Sequence, residues 1–246
     1  MKFLYKNKIM ETITYKGYDI EIGYDDFASN PFEEWDCNLP LISTNKDYSD
    51  GGINDYLSEV LTDNQIIRHQ SDLCEVLDIE YFLDDKHDKE DKIDFIRDEI
   101  RSTSSYSALE KVCELAKVPC LNTVSRGYSQ GDWSNLFICY TDEFEKITGC
   151  TIDSVDDKML QSTADLFGYW AWGDVYCYNV LDKDGDVIDS CGGFYGDDHD
   201  ENGLMDMAKE FIDSEVYHSK LKKIEKLKVF IKNRVPLYKR TELLSF

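Results

Sequence analysis

The chain has 246 residues, 42% of them hydrophobic and 13% aromatic, which is enough apolar material to bury a core and excludes a disordered protein. Its 50 acidic residues outnumber 27 basic ones, and the resulting net charge of −23 excludes direct binding to nucleic acid or to an anionic membrane. The N-terminus lacks the apolar stretch of a signal peptide, and no run approaches the roughly 18–20 apolar residues of a membrane span.

The first half of the chain predicts a hairpin followed by four helices. Alternating residues on both sides of Lys16-Gly17 predict strands over 12–15 and 18–22, and a short strand is expected over 39–43. From Asp55 the apolar spacing becomes helical, with stripes over 56–61, 66–77, 93–100 and 109–116. Pro119 then marks a boundary between predicted domains 1–118 and 119–246, unless the chain forms one continuous domain.

The second half predicts two more hairpins separated by helices. Strands are expected over 122–125 and 135–140, and over 173–181 and 186–191. Helices are expected over 142–147, ended by Gly149, over 155–167, with Ser154 as N-cap, and over 204–233. This order predicts an α+β fold of antiparallel β-hairpins packed with several helices, with a long C-terminal helical segment.

The charge is divided unevenly along the chain. Residues 218–246 hold nine Lys or Arg and two Glu, a net of +7, whereas the other 217 residues carry a net of −30. We expect the basic segment to be an amphipathic helix that packs on its own domain through an apolar stripe. That stripe consists of Leu221, Ile224, Leu227, Phe230 and Ile231. The alternative is a homo-oligomer in which this helix pairs with the acidic body of another copy.

Two acidic runs are the candidate partner-binding patches. Their carboxylates attract a basic protein surface within a Debye length of about 8–10 Å. The alternative is that they are solvated loops leading into helices, where carboxylates favour the N-terminal dipole. The residues are Asp84, Asp85, Asp88, Glu90 and Asp91 in the first patch, and Asp197, Asp198, Asp200 and Glu201 in the second.

Motifs of catalysis or metal binding are missing from the sequence. There is no Gly-x-Ser-x-Gly, no phosphate-binding glycine-rich loop and no His-Glu-x-x-His. Residues 182–186 resemble part of a calcium loop, but the glycine comes fourth instead of sixth, which favours a hairpin turn. The eight cysteines form no Cys-x-x-Cys pair and predict buried, reduced thiols. We therefore predict no enzymatic activity, no metal and no cofactor.

Glycines and aromatic residues are concentrated in 126–134 and 168–196. Glycines permit tight turns, and the aromatic rings suit either a core or a ligand surface, of which the core is favoured. The alternative is a small-molecule binder or hydrolase that uses the predicted hairpin between Trp172 and Tyr195. Its pocket would comprise Tyr128, Gln130, Asp132, Trp133, Trp172, Asp174, Tyr176, Asp189, Cys191 and Tyr195.

Three segments of this region resemble a set of uncharacterised acidic proteins from bacteriophages and bacterial mobile elements. They are YSQGDW (128–133), WGDVY (172–176) and DSCGGFYG (189–196), and the likeness covers roughly residues 118–220. An aromatic residue often follows the cysteine in that family, where this chain has Gly192. The resemblance implies a phage or mobile-element origin, and so the cytoplasm of a bacterial host, but it implies no activity and no catalytic residue.

The net charge of −30 on residues 1–217 suggests a function for such a protein. Phage proteins of this size and acidity include counter-defence factors that imitate DNA, whose duplex carries about one charge per 1.7 Å of axis. We expect an acidic interaction protein that acts as a DNA mimic on a basic partner surface. The expected partner is a host nuclease of the restriction or CRISPR type, or another nucleic-acid-binding protein. A structural or regulatory phage protein is the alternative.

Overall fold

The computed structural model describes residues 9–35, 38–44, 52–79, 88–126 and 133–236. Contacts group the chain into two compact units: residues 29–174, here the central unit, and residues 1–28 with 175–246, here the terminal unit. The predicted boundary at Pro119 falls inside the central unit, between a helix and a strand, so the contacts group the residues differently from the predicted domains.

The described residues form seven strands and nine α-helices. The strands are β1 (Ile9–Tyr15), β2 (Tyr18–Tyr24), β3 (Leu41–Ser43), β4 (Cys120–Arg126), β5 (Trp133–Cys139), β6 (Val175–Leu181) and β7 (Val187–Tyr195). The helices are α1 (Pro31–Glu34), α2 (Gly52–Val60), α3 (Asp63–Arg68), α4 (Gln70–Val76), α5 (Lys89–Ser102), α6 (Tyr106–Ala116), α7 (Asp142–Thr148), α8 (Asp157–Trp172) and α9 (Leu204–Arg234). All strand pairs are antiparallel, which confirms the predicted α+β fold.

The terminal unit is a four-stranded sheet in the order β1-β2-β6-β7 with α9 against one face. Lys16 and Gly17 both have positive φ, as a two-residue hairpin turn with the twist of its strands requires, and the predicted first hairpin is confirmed. Alternate residues of the strands share a face, so Ile20 lies beside Val180 and Ile22 beside Tyr178. These side chains pack against the first turns of α9, where Leu204, Met205, Ala208 and Ile212 are buried.

The central unit holds a three-stranded sheet in the order β3-β5-β4 and eight of the helices. Four consecutive residues of β5 (Leu136, Phe137, Ile138 and Cys139) are fully buried, as expected for a middle strand covered on both faces. The helices α2, α5, α6 and α8 each contribute buried apolar side chains to the same core.

One of the two predicted helix caps is confirmed and the other is wrong. Gly149 ends α7 in the left-handed conformation, as predicted. The predicted N-cap Ser154 is wrong: it ends a short 3₁₀ turn, and the side chain of Asp156 accepts the N–H of Met159 to cap α8. The stripe over 66–77 forms two helices that divide at His69.

The cysteines of the described residues are free thiols. Cys74, Cys113 and Cys139 are buried, whereas the other four described cysteines are only partly buried, so the predicted burial holds for fewer than half of them. A hydrogen bond with Cys113, together with burial, raises the pKa of the Cys120 thiol. Such a thiol stays protonated at neutral pH and is a poor nucleophile.

Candidate functional site

The first acidic patch lies at the start of α5. Its Asp84 and Asp85 lie outside the described residues. Asp88 is the N-cap of α5, and its carboxylate accepts the N–H of Asp91 at 2.9 Å. Glu90 and Asp91 occupy the first turn, where carboxylates stabilise the helix dipole. The described part of this patch therefore stabilises its helix as well as carrying exposed charge.

The acidic surface continues along α5 beyond the predicted patch. Helix α5 buries Ile93, Ile96 and Ile100, and the side opposite these residues exposes Asp91, Asp94 and Asp98. Three and four residues separate these carboxylates, so they form one stripe along the helix. Asp94 and Asp98 were missed in the sequence, although their spacing from Asp91 could have identified the stripe.

Two arginines near this stripe are already paired within the central unit. Arg101 contacts Asp98 at 2.8 Å and Glu59 at 3.1 Å, and Arg97 contacts Asp63 at 2.9 Å. In the described ranges, no basic side chain lies within ion-pair distance of Asp91 or Asp94. The acidic excess of α5 is thus only partly neutralised by its neighbours.

Charge is concentrated in the central unit. Residues 29–174 carry 31 acidic and 12 basic side chains, a net of −19, whereas the terminal unit carries 19 acidic and 15 basic ones, a net of −4. The basic segment 218–246 accounts for the near-balance of the terminal unit. Without that segment, the other 71 residues of the terminal unit carry a net of −11, so both units are strongly acidic outside residues 218–246.

The second acidic patch is a turn that leads into α9. One carboxylate oxygen of Asp198 accepts the backbone N–H groups of Asp200 and Glu201, both at 3.0 Å. Asp200 lies 3.9 Å from Lys209, and Asp197 is exposed. This patch is thus a self-capped turn of the terminal unit that keeps four exposed carboxylates.

The predicted pocket residues fall into three groups. Tyr128, Gln130 and Asp132 lie outside the described residues. In the central unit, Trp133 is 68% exposed at the start of β5, and Trp172 is the last residue of α8. The prediction that a hairpin strand begins at Gly173 is wrong, because Gly173 caps α8 and the strand begins at Val175. Asp174, the residue between them, also belongs to the central unit, and its N–H bonds back to the carbonyl of Tyr169 in α8.

The remaining pocket residues belong to the β6–β7 hairpin of the terminal unit. The hydroxyl of buried Tyr178 donates to Asp189 at 2.9 Å, and burial raises the pKa of Tyr178. Cys191 is the strand partner of Tyr178, and Tyr195 that of Val175. The ring of Tyr176 meets that of His199 edge to face at 4.6 Å. These contacts place Asp189, Cys191 and Tyr176 on the sheet face that packs against α9.

The glycines of this hairpin have a structural explanation. Asp25 accepts the N–H of Gly193 at 2.9 Å, and a Cβ on Gly192 would lie 2.3 Å from the same carboxylate. Gly193 also has a φ of +80°, which disfavours other residues. In the next turn, Asp182 accepts the N–H groups of Asp184 and Asp186, as an Asp-based hairpin turn does.

A cleft of about 380 Å³ opens on the central unit, within the size range of ligand pockets. Aromatic side chains and the carboxylates of Asp142 and Glu143, in the first turn of α7, line it together. Burial raises the pKa of Tyr56, and the nearby carboxylate of Asp142 raises it further. The aromatic residues are Phe32, Trp35, Tyr56 and Phe144. No sequence pattern indicated this cleft, because its residues come from three separate segments.

The predicted packing of the basic helix is wrong. Its first turns lie on the sheet, but Leu221, Ile224, Leu227 and Phe230 are between 39% and 59% exposed, and only Ile231 of the predicted stripe is partly buried. The sheet packs against α9 only as far as Val216, so these side chains extend past the surface that was expected to cover them. The second half of α9 therefore presents apolar and basic side chains together.

Comparisons with known proteins leave the function open. No protein-family profile, curated protein or solved structure is significantly similar to this chain. Over the described part of the chain, none of the helices is both long and apolar enough to cross a bilayer. In the same residues, no three side chains of His, Cys, Asp or Glu converge as metal ligands would.

Proposed function

We propose that this protein is an acidic interaction protein whose central unit occupies a basic, nucleic-acid-binding surface of another protein. The observation that carries the proposal is the net charge of −19 on residues 29–174, against −4 on the terminal unit. The expected partner is a nuclease or another nucleic-acid-binding enzyme of a bacterial host. Inhibition follows because carboxylates occupy the positions that DNA phosphates would take.

Helix α5 is the part of the central unit that best resembles a row of phosphates. Asp91, Asp94 and Asp98 span about 10 Å of helix, or one carboxylate per about 5 Å. One strand of duplex DNA carries a charge per about 3.4 Å of axis. Since Arg101 neutralises part of the charge of Asp98, the stripe is a weaker mimic than DNA and needs the surrounding carboxylates to contribute.

The test begins with capture of host proteins on the purified chain at low and at high salt. We expect a basic nucleic-acid-binding enzyme to be retained at low salt, to be released at high salt and to be displaced by duplex DNA. Retention that is unchanged between the two salt concentrations would contradict the proposal, because surface charges are screened within about 3 Å at 1 M salt.

A pair of matched variants then locates the surface. Asp91→Asn with Asp94→Asn removes two charges from α5 and should weaken binding several-fold. Asp184→Asn with Asp186→Asn removes the same charge from an exposed turn of the terminal unit and should change affinity little. If both pairs of substitutions weakened binding equally, net charge alone, and not the α5 stripe, would determine the affinity.

A further inference from the structure

The second half of α9 is a helix that lacks a covering surface among the described residues. Apolar side chains between 217 and 230 are 39–60% exposed. A helical segment of this length is marginal in water unless its apolar side is packed. The exposed residues are Tyr217, Leu221, Ile224, Leu227, Val229 and Phe230.

The same segment is strongly basic. Between 217 and 234 it carries seven Lys or Arg and one Glu, a net of +6. Two such segments side by side would repel one another, so a simple pairing of α9 with α9 is disfavoured. The surface that covers this segment has to be acidic.

The positions of the lysines around the helix further limit which kind of surface can cover it. With about 100° per residue, Lys228 lies between Leu221 and Ile224, and Lys220 lies between Leu227 and Ile231. Apolar and cationic side chains thus share one side of the helix. A purely apolar surface would bury these lysines without partners, which is unfavourable. The covering surface therefore has to offer apolar contact and carboxylates next to each other.

The cleft of the central unit has this combination. Phe32, Trp35 and Tyr56 supply aromatic surface, and Asp142 and Glu143 supply two exposed carboxylates. Lys146, also exposed, lines the cleft as well, so the carboxylates leave a net of −1 among its charged lining residues. The unit around it carries a net of −19, which attracts a basic helix over about a Debye length.

We propose that the basic half of α9 of one copy binds the central-unit cleft of a second copy. In the proposed dimer the exchange is reciprocal: each copy contributes one helix and one cleft, and the two contacts are equivalent. This dimer goes beyond the proposed partner binding and does not depend on it.

The test is the mass of the full-length purified chain in solution, measured by sedimentation over a range of concentrations. We expect the mass to rise from 28.6 kDa towards twice that value and the dimer to weaken as salt increases. A monomer at every concentration would overturn the proposal. Since no partner protein is present, this result is independent of the outcome of the capture experiment.

Charge reversal then identifies the two surfaces. Lys220→Glu with Lys228→Glu, and separately Asp142→Lys with Glu143→Lys, should each weaken the dimer about tenfold or more. Combining all four changes should restore it, because the charges are exchanged. Asp153→Lys with Asp165→Lys, on exposed positions outside the cleft, is the matched control.

Three outcomes would overturn the assignment of the cleft. The first is a dimer that persists when Asp142 and Glu143 are changed to Lys. The second is an equal loss of dimer affinity in the control pair, and the third is a variant with all four charge reversals that stays monomeric. Circular dichroism of each variant, with the helical signal of the wild type, establishes that the comparison is made on folded protein.

Discussion

The helices of the central unit and the long helix α9 of the terminal unit differ in what covers their apolar side chains. Helix α5 buries Ile93, Ile96 and Ile100 in its own unit and directs its carboxylates outward. In α9, Ile212 follows the same rule, but Leu227 is 59% exposed. An amphipathic pattern therefore predicts that a helix has an apolar side. It does not predict that the same unit covers that side.

The largest expected effect comes from the core of the central unit. Phe137→Ala should lower the free energy of unfolding by about 3–5 kcal/mol, because the ring is fully buried in the middle strand β5 and its removal leaves a cavity. Chemical denaturation followed by fluorescence measures this. A loss below about 1 kcal/mol would mean that β5 is less tightly enclosed than its burial indicates.

The contrast within α9 is tested by two equivalent truncations. Ile212→Ala should cost about 2–5 kcal/mol, whereas Leu227→Ala should change the stability of the dilute monomer by less than about 0.5 kcal/mol. Alanine favours helix at both positions, so the difference between the two losses reports mainly packing. Equal losses would show that the second half of α9 is covered in the monomer after all.

A smaller effect is expected at high pH in the central unit. Burial, with a hydrogen bond to Glu145, raises the pKa of Tyr140 to about 12. A raised pKa means that the folded state favours the neutral phenol. The phenol's contribution to the free energy of unfolding is therefore complete below the usual pKa near 10 and is lost as pH rises towards 12. The stability difference between wild type and Tyr140→Phe should therefore shrink between pH 10 and 12, as followed by urea unfolding. A constant difference would contradict this.

The smallest effect concerns the contact between the first hairpin and α9. Lys16 forms an ion pair with Asp213 at 2.5 Å, and this hydrogen bond lowers the pKa of the Asp213 carboxyl. Its contribution is present above the usual pKa of Asp and is lost as pH falls through the lowered value. Lys16→Ala should return the pKa of Asp213 towards the usual value, as measured by NMR titration. An unchanged pKa would mean that α9 is not held at this position in solution.

The sequence by itself determined most of the strands and helices and the class of the fold. The turn at Lys16-Gly17 and the cap at Gly149 were predicted correctly, because a positive φ and a helix end depend on the residues of a short segment. The α+β class followed in the same way from the order of the hairpins and helices. The division between an acidic main part and a basic C-terminal segment could also be predicted, since it depends only on composition along the chain.

The tertiary structure alone decided which residues act together. Sequence order places Trp172 next to Tyr176, but they belong to different units, because the chain leaves the central unit after Asp174. The cleft around Tyr56 and Asp142 joins segments that are far apart in sequence, and no local pattern predicts such a meeting. The exposure of Leu227 is likewise a property of where the sheet ends and not of the helix that carries it. Local chemistry determines how each segment folds, and the long-range packing determines which of its surfaces remain open to a partner.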